Sequence, residues 1–178
     1  MKEPANIEVL ITAQQITQRV EILAQEIAGS MPSDIMIVSL LRGSFVFTAD
    51  LIRALHFSGV RPQLDFMTLA SYGSSTTSSG KVQITRDIIE NVQEREVLIV
   101  DDILESGNTL TFARNIIQER GASSIKIAVM LEKPGKRKVE IEADFVGFKI
   151  PDKFVVGYGL DYANYYRELP FIGAIKTE

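Results

Sequence analysis

An apolar run delivers two adjacent carboxylates and then a small, hydroxyl-bearing turn: Val97-Leu98-Ile99-Val100-Asp101-Asp102-Ile103-Leu104-Glu105-Ser106-Gly107-Asn108-Thr109-Leu110. Residues 96–100 read as a buried strand. In an open α/β sheet, ligands gather beyond the carboxyl ends of the strands, where Asp101 and Asp102 fall. Ser106, Gly107, Asn108 and Thr109 open a helix, and the free N–H groups and dipole of a helix start attract an anion. Gly107 lets the backbone come close to a ligand, and the Ser106 and Thr109 hydroxyls add donors. Carboxylates beside such a turn suit sugar hydroxyls or Mg²⁺, a hard cation that prefers oxygen. The pattern implies one phosphate at a helix start with two carboxylates beside it. Neither a Walker phosphate loop nor a Gly-x-Gly-x-x-Gly fingerprint is present here. An Asp-Asp pair alone would also suit a helix cap or an acidic pocket. The full pattern of strand, acidic pair, Glu-Ser-Gly-x-Thr and helix is more specific.

Other elements must hold this segment. Thr12 and Gln15 form a capping-box pattern, and Ile16, Val20, Leu23 and Ile27 recur at helical spacing until Gly29. Residues 34–41 read as a buried strand broken by Arg42-Gly43-Ser44. Residues 45–55 read as a helix with Phe45, Ala49 and Ile52 on its buried stripe. Residues 63–70 and 81–85 suit strands of a long hairpin. The small polar stretch 71–80 between them reads as a mobile loop. Residues 110–120 form the helix after the acidic strand. Residues 125–131, 145–148 and 154–158 complete the strands. Buried strands alternating with helices give an α/β fold with a mainly parallel, twisted sheet flanked by helices.

The chain of 178 residues is 46% hydrophobic, enough for one substantial core, so residues 1–178 are read as a single domain. A net charge of −4 argues against a nucleic-acid partner. There is no cysteine, hence no disulfide and no thiolate metal site, which fits a reducing compartment. The first residues lack the apolar run of a signal peptide, and no stretch approaches the ~20 apolar residues of a membrane helix. The expectation is a cytoplasmic protein with no membrane partner.

Several of these segments together resemble the type I phosphoribosyltransferases, and the hypoxanthine–guanine branch in particular. The acidic strand and turn resemble the family's signature for 5-phosphoribosyl-1-pyrophosphate (PRPP). Leu40-Leu41-Arg42-Gly43-Ser44-Phe45 resembles its pyrophosphate loop, and Ser71-Tyr72-Gly73 the start of its active-site loop. Lys133-Pro134, Arg137 and the run Ile150-Pro151-Asp152-Lys153-Phe154-Val155-Val156-Gly157-Tyr158 resemble its purine-binding part. Tyr165-Tyr166-Arg167-Glu168-Leu169-Pro170 fits its tail.

The resemblance implies a role for each residue. Asp101 and Asp102 hold the ribose hydroxyls, directly or through Mg²⁺, and Ser106, Gly107, Asn108 and Thr109 hold the 5′-phosphate. Glu105, where the family usually has Asp, exchanges a proton with purine N7. Leu41, Arg42, Gly43 and Ser44 bind pyrophosphate through backbone N–H groups, in a turn where relatives often carry a cis peptide. Arg137 and Arg167 neutralise pyrophosphate oxygens. Lys133 donates to a 6-oxo group, Phe154 stacks on the base, Val155 reads its edge, and Lys153 belongs to the same purine-binding stretch. Asp161 helps hold a second Mg²⁺. Ser71 and Tyr72 start a lid over the site, residues 71–80, and a small purine-binding hood comes mainly from residues 133–178. The implied partners are PRPP and hypoxanthine or guanine, and the implied assembly is a homodimer or homotetramer. Rival readings share the fold: another base preference, an RNA-binding regulator, or a silent PRPP-binding domain. His56, the one histidine, lies away from every motif and is assigned no chemistry.

Overall fold

The computed structural model describes residues 6–72 and 81–176. In chain order it has β1 (Ile7–Ile11), α1 (Ala13–Ala28), β2 (Met36–Leu41), α2 (Phe45–Phe57), β3 (Gln63–Tyr72), β4 (Lys81–Arg86), β5 (Glu96–Leu104), α3 (Asn108–Glu119), β6 (Ser124–Glu132), β7 (Phe145–Lys149), β8 (Val155–Val156) and β9 (Ile172–Ile175). Six strands form one sheet in the order β4-β3-β2-β5-β6-β7. Within it β2, β3, β5, β6 and β7 run parallel, and β4 returns antiparallel along β3. A second sheet, β1-β9-β8, is antiparallel throughout.

The central strands β2, β5 and most of β6 are buried on both faces because helices cover both. One core joins α1 and α2 to Ile37, Leu98, Val100 and Met130; the other joins α3 to Val38, Leu40, Val97 and Ile99. Alternate residues of β2 and β5 thus face opposite cores, as the two-residue period of a strand requires. The chain therefore leaves β2 toward one face and β5 toward the other, which makes the β2–β5 boundary the switch point of the sheet.

Local sequence explains most of the elements. Thr12 and Gln15 close the capping box, with Gln15 N donating to Thr12 Oγ1 (3.3 Å) and Thr12 N to Gln15 Oε1 (2.9 Å). The buried face of α1 is Ile16, Val20, Leu23, Ala24 and Ile27. Arg19 ties this helix to β7 by donating to the carbonyls of Val146 and Gly147. No helix among the described residues is long and apolar enough to cross a membrane.

Three expectations are corrected. The buried stripe of α2 is Phe47, Thr48, Leu51 and Leu55, and Phe45 is exposed. This helix is apolar nearly all round, so its pattern singles out no face, and packing against α1 and β2 decides. The strand β5 continues through Asp101 and Asp102 to Leu104, because β6 goes on pairing with it there. The segment 154–158 keeps only two strand residues, and the small sheet takes its other strands from the two ends of the described chain.

Away from the sheet's carboxyl edge, the buried Asp65 on β3 accepts from the N–H groups of Phe66 (2.7 Å), Ile89 (2.6 Å) and Glu90 (3.0 Å). It thereby fixes the chain between β4 and β5. Burial pushes its carboxyl up, but those three donors and the Arg86 charge outweigh it and hold the group below its ordinary value of 3.8. A depressed folded-state value stabilises the fold above the unfolded value and is lost as pH falls through the folded one. Asp65→Ala should therefore cost about 2 kcal/mol at pH 7, the cost of leaving buried donors unpaired. In urea titrations the deficit should shrink below pH 4; a deficit that stays constant down to pH 2 would show that the carboxylate charge contributes nothing.

Candidate active site

The site opens where two parallel strands part. β2 pairs with β5 only as far as Ser39 and Val100, while β5 continues along β6 as far as Leu104. From Asp101 onward β5 therefore has one free edge, and a crevice lies between it and the turn after β2. Asp101 is 8% exposed, and its Oδ1 accepts the N–H of Asp102 (2.9 Å). Burial, and then the neighbouring Asp102 charge, push the Asp101 carboxyl well above the usual carboxylate range. Burial also raises Asp102, while its contact with Asp101 and the Arg167 charge hold it back.

Past β5 the chain turns into α3. Gly107 is its N-cap with φ +84°, a left-handed conformation that suits glycine, and the first helical N–H, of Asn108, donates to Ser106 Oγ (3.4 Å). A Cβ there would meet Ile141 Cγ2 at 2.5 Å. The first turn of α3 carries no acidic residue. Residues Asp101, Asp102, Ser106, Gly107 and Thr109 line a concavity of about 240 Å³ at this helix start. The remaining N–H groups and a helix dipole facing a cavity of that size suit one phosphate.

A larger cavity of about 460 Å³ adjoins it, lined by Gly43, Asp102, Ile103, Glu105, Lys133, Asp152, Phe154, Val155, Leu160, Asp161 and Arg167. Its polar centre is Lys133, whose ammonium lies 3.2 Å from Glu105 Oε2 and 3.9 Å from Asp152 Oδ1. Lys133 is 7% exposed, so its charge is held by these carboxylates more than by water. Asp152 in turn pairs with Lys136. Phe154 presents an exposed ring on the cavity wall, edge-on to Tyr162 at 5.6 Å, and Val155 is buried in β8. An aromatic face, a buried donor and a carboxylate make a pocket for a flat heterocycle with an acceptor on its edge.

Across the crevice, Leu41, Arg42, Gly43 and Ser44 form the turn after β2, and the Leu41–Arg42 peptide is cis. The Arg42 side chain is exposed, whereas Ser44 is fully buried. Its hydroxyl is hydrogen-bonded to Ser39 Oγ (2.8 Å) and donates to Leu40 O, and Ser39 Oγ also meets Thr48 Oγ1 (2.7 Å). These hydroxyls anchor the turn from beneath, leaving its backbone and the exposed Arg42 side chain for a ligand. Gly43 lies so close to Asp102 that a Cβ on it would sit 1.5 Å from Asp102 Oδ2. From the other side, Arg167 Nη1 donates to Gly159 O (2.6 Å), and Arg167 Nη2 pairs with Asp161 Oδ1 (2.7 Å).

The expected site residues thus fall into two groups. Asp101, Asp102, Glu105, Ser106, Gly107, Thr109, Gly43, Lys133, Phe154, Val155, Asp161 and Arg167 line the two cavities, and Asn108 begins the helix beside them. Lys153 turns outward to Glu8 (3.5 Å). Arg137 faces away from the Leu41–Ser44 turn and binds the backbone of Leu104 and Glu105. Ser71 and Tyr72 end β3, and the rest of the expected lid, residues 73–80, lies outside the described residues. Among the described residues no three His, Asp or Glu side chains gather into a metal-binding cluster. Asp161 is engaged by Arg167 and by Asn164 N, and it lines the larger cavity together with Asp102. Asp152 and Ile103 were not singled out from sequence. Asp152 stood inside the purine-type run, but nothing local indicates that it reaches Lys133.

Residues 8–163 match the family model described as phosphoribosyl transferase domain. The chain is 44% identical over 172 residues to the hypoxanthine phosphoribosyltransferase of Escherichia coli strain K12, with 95% of each chain covered. It is 44% identical over 170 residues to the hypoxanthine-guanine phosphoribosyltransferase of Bacillus subtilis strain 168, covering 95% of this chain and 93% of that one. The crystal structure of a hypoxanthine phosphoribosyltransferase from Staphylococcus aureus superposes with a TM-score of 0.89 at 41% identity, covering 95% of this chain and 91% of that chain.

The close approach of Gly43 to Asp102 is directly testable. Gly43→Ala must displace either the turn or the carboxylate by about an ångström, a misplacement that costs roughly 10²-fold in rate. Turnover should fall by that factor in a protein with an unchanged circular dichroism spectrum. Unchanged kinetics would mean that turn and carboxylate separate without consequence.

Proposed function

The chain belongs to the phosphoribosyl transferase domain family, within its hypoxanthine branch, and on that premise we propose how its residues carry out purine salvage. The reaction transfers the 5-phosphoribosyl group of PRPP to hypoxanthine, giving inosine monophosphate (IMP) and pyrophosphate. The observation that carries the reading is the buried Lys133 ammonium. It is held by Glu105 in a cavity walled by Phe154, directly beside the helix-start cavity at Asp101–Thr109.

The helix start and the Ser106 and Thr109 hydroxyls take the 5′-phosphate, and Asp101 and Asp102 accept the ribose hydroxyls. The turn at Leu41, Arg42, Gly43 and Ser44 takes pyrophosphate, with Arg167 at its side. Phe154 stacks on the base and the Val155 backbone reads its edge. Lys133 donates to the 6-oxo group. Lysine has no acceptor lone pair once protonated, so it favours 6-oxopurines over adenine, whose 6-amino group is a donor. Guanine carries the same 6-oxo group and is proposed as a second substrate. Glu105, 3.2 Å from Lys133, exchanges a proton with purine N7 as the bond from C1 to pyrophosphate breaks and the bond from C1 to the base forms. Residues 71–80 belong to this proposal as the lid that excludes water.

Asp101 and Asp102, and for a second ion Asp161, are oxygen donors of the type Mg²⁺ takes and would hold it. When bound there, Mg²⁺ neutralises charge on the departing pyrophosphate. Residues 1–178 acting as one domain, a cytoplasmic location and assembly as a homodimer or homotetramer belong to the same proposal.

The test is a panel assay with PRPP, Mg²⁺ and hypoxanthine, guanine, xanthine, adenine or uracil. IMP should form from hypoxanthine and disappear when Mg²⁺ is chelated; no product from any base, despite PRPP binding, would sink the reading. Glu105→Gln should lower kcat by roughly 10²–10⁴-fold, the range of a general acid–base contribution, with the KM for PRPP little changed. Lys133→Gln should erode the preference for hypoxanthine over adenine in kcat/KM, because an amide both donates and accepts. A preference that survives intact would move specificity to another residue.

A further inference from the structure

Arg137 sits behind the phosphate turn. Nη1 donates to Leu104 O (3.0 Å) and Glu105 O (2.8 Å), Nε donates to Ile141 O (3.2 Å), and Nη2 pairs with Glu132 Oε1 (2.6 Å). Four of its five N–H donors are thereby occupied inside the protein. Two further backbone bonds extend the pattern: Lys133 N donates to Leu104 O (3.0 Å) and Lys138 N to Ser106 O (2.9 Å). Three successive carbonyls, of Leu104, Glu105 and Ser106, are therefore drawn to one side, toward the segment that starts at Lys133.

In a trans peptide the carbonyl and the following N–H point in opposite directions. Drawing those carbonyls one way turns the N–H groups of Glu105, Ser106 and Gly107 the other way, into the helix-start concavity that these residues line. Parallel carbonyl dipoles repel, and a cationic fork between two of them removes that cost. Glu132 holds the fork in place, and Lys149 lies 3.5 Å from its other carboxylate oxygen.

We propose that Arg137 is a positioning residue: it shapes the turn at residues 104–107 so that its N–H groups meet the 5′-phosphate and Glu105 meets the base, and it is not a pyrophosphate ligand. The proposal rests on the phosphoribosyltransferase reading above.

The experiment compares wild type, Arg137→Lys, Arg137→Gln and, as the pyrophosphate control, Arg167→Gln. Calorimetry measures IMP binding, and the reverse reaction gives the KM for pyrophosphate. Lysine keeps the charge but carries one nitrogen, so it cannot hold the Leu104 and Glu105 carbonyls while also meeting Ile141 O and Glu132 as the three guanidinium nitrogens do. If the fork matters, Arg137→Lys and Arg137→Gln should both weaken IMP binding, by about tenfold or more for the loss of charge-assisted bonds. Their KM for pyrophosphate should stay within about twofold of wild type, and that of Arg167→Gln should rise; those twofold bounds reflect ordinary context dependence. Recovery of IMP binding by lysine, a raised pyrophosphate KM with IMP affinity kept, or no change in either quantity would each overturn the proposal. Should Arg137→Gln fail to fold, the lysine variant alone decides. Wild-type protein that binds IMP and forms it from hypoxanthine upholds the underlying reading separately, so the two failures are distinguishable.

Discussion

The site depends on where two parallel strands stop pairing. β2 releases β5 after Ser39 and Val100 because the chain must bend away to start α2, whereas β6 keeps its grip on β5 to Leu104. The resulting free edge places Asp101 and Asp102 in a crevice with protein on one side and ligand space on the other. Sheet backbone left unpaired in a buried place must find other partners. Here the segment from Lys133 to Lys138 takes up part of that work, through Lys133 N, Arg137 and Lys138 N bonded to the carbonyls of Leu104, Glu105 and Ser106.

Charge placement follows from this opening. Two adjacent carboxylates with little water around them hold their protons more tightly than free aspartate does. Hydroxyl donors or a cation would relieve that repulsion, which is what the proposed ribose position beside the pair would supply. The larger cavity has the opposite arrangement. Glu105, Lys133, Asp152 and Lys136 alternate in sign, so the buried ammonium is neutralised before a base arrives. A neutral heterocycle bound there, as proposed, would exchange for part of an ion pair and need not strip a bare charge of its partners.

The small sheet completes the walls. β1 and β8 flank β9, so the segment carrying Phe154 and Val155 is pinned by both ends of the described chain. Tyr158 donates to Asp50 Oδ2 (2.7 Å) and joins this hood to α2; burial, and then that bond, push the phenol far above its ordinary value. Gly159 packs against Gly43, where a Cβ would come within 2.2 Å of Gly43 O. The turn after β2 is therefore confined between Asp102 and the hood, which fixes the distance between the proposed pyrophosphate and base positions.

The sequence by itself determined the α/β class, the capped first helix and the glycine turn that opens α3. Each is written in neighbouring residues: Thr12 and Gln15 three apart, an apolar run ending in Asp101 and Asp102, a glycine before Asn108. The resemblance also grouped Lys133, Phe154 and Asp161, which line one cavity in the structure. Only tertiary structure decided which face of the apolar helix α2 is buried and how far β5 extends. It also decided that the first and last described strands share a sheet. Lys133 meeting Glu105, Arg137 turning behind the phosphate loop and Asp161 pairing with Arg167 belong to the same class. A side chain's partner across many residues of sequence is set by strand register and helix packing, and a charged residue reads alike in sequence whether it reaches a ligand, a carbonyl or another charge.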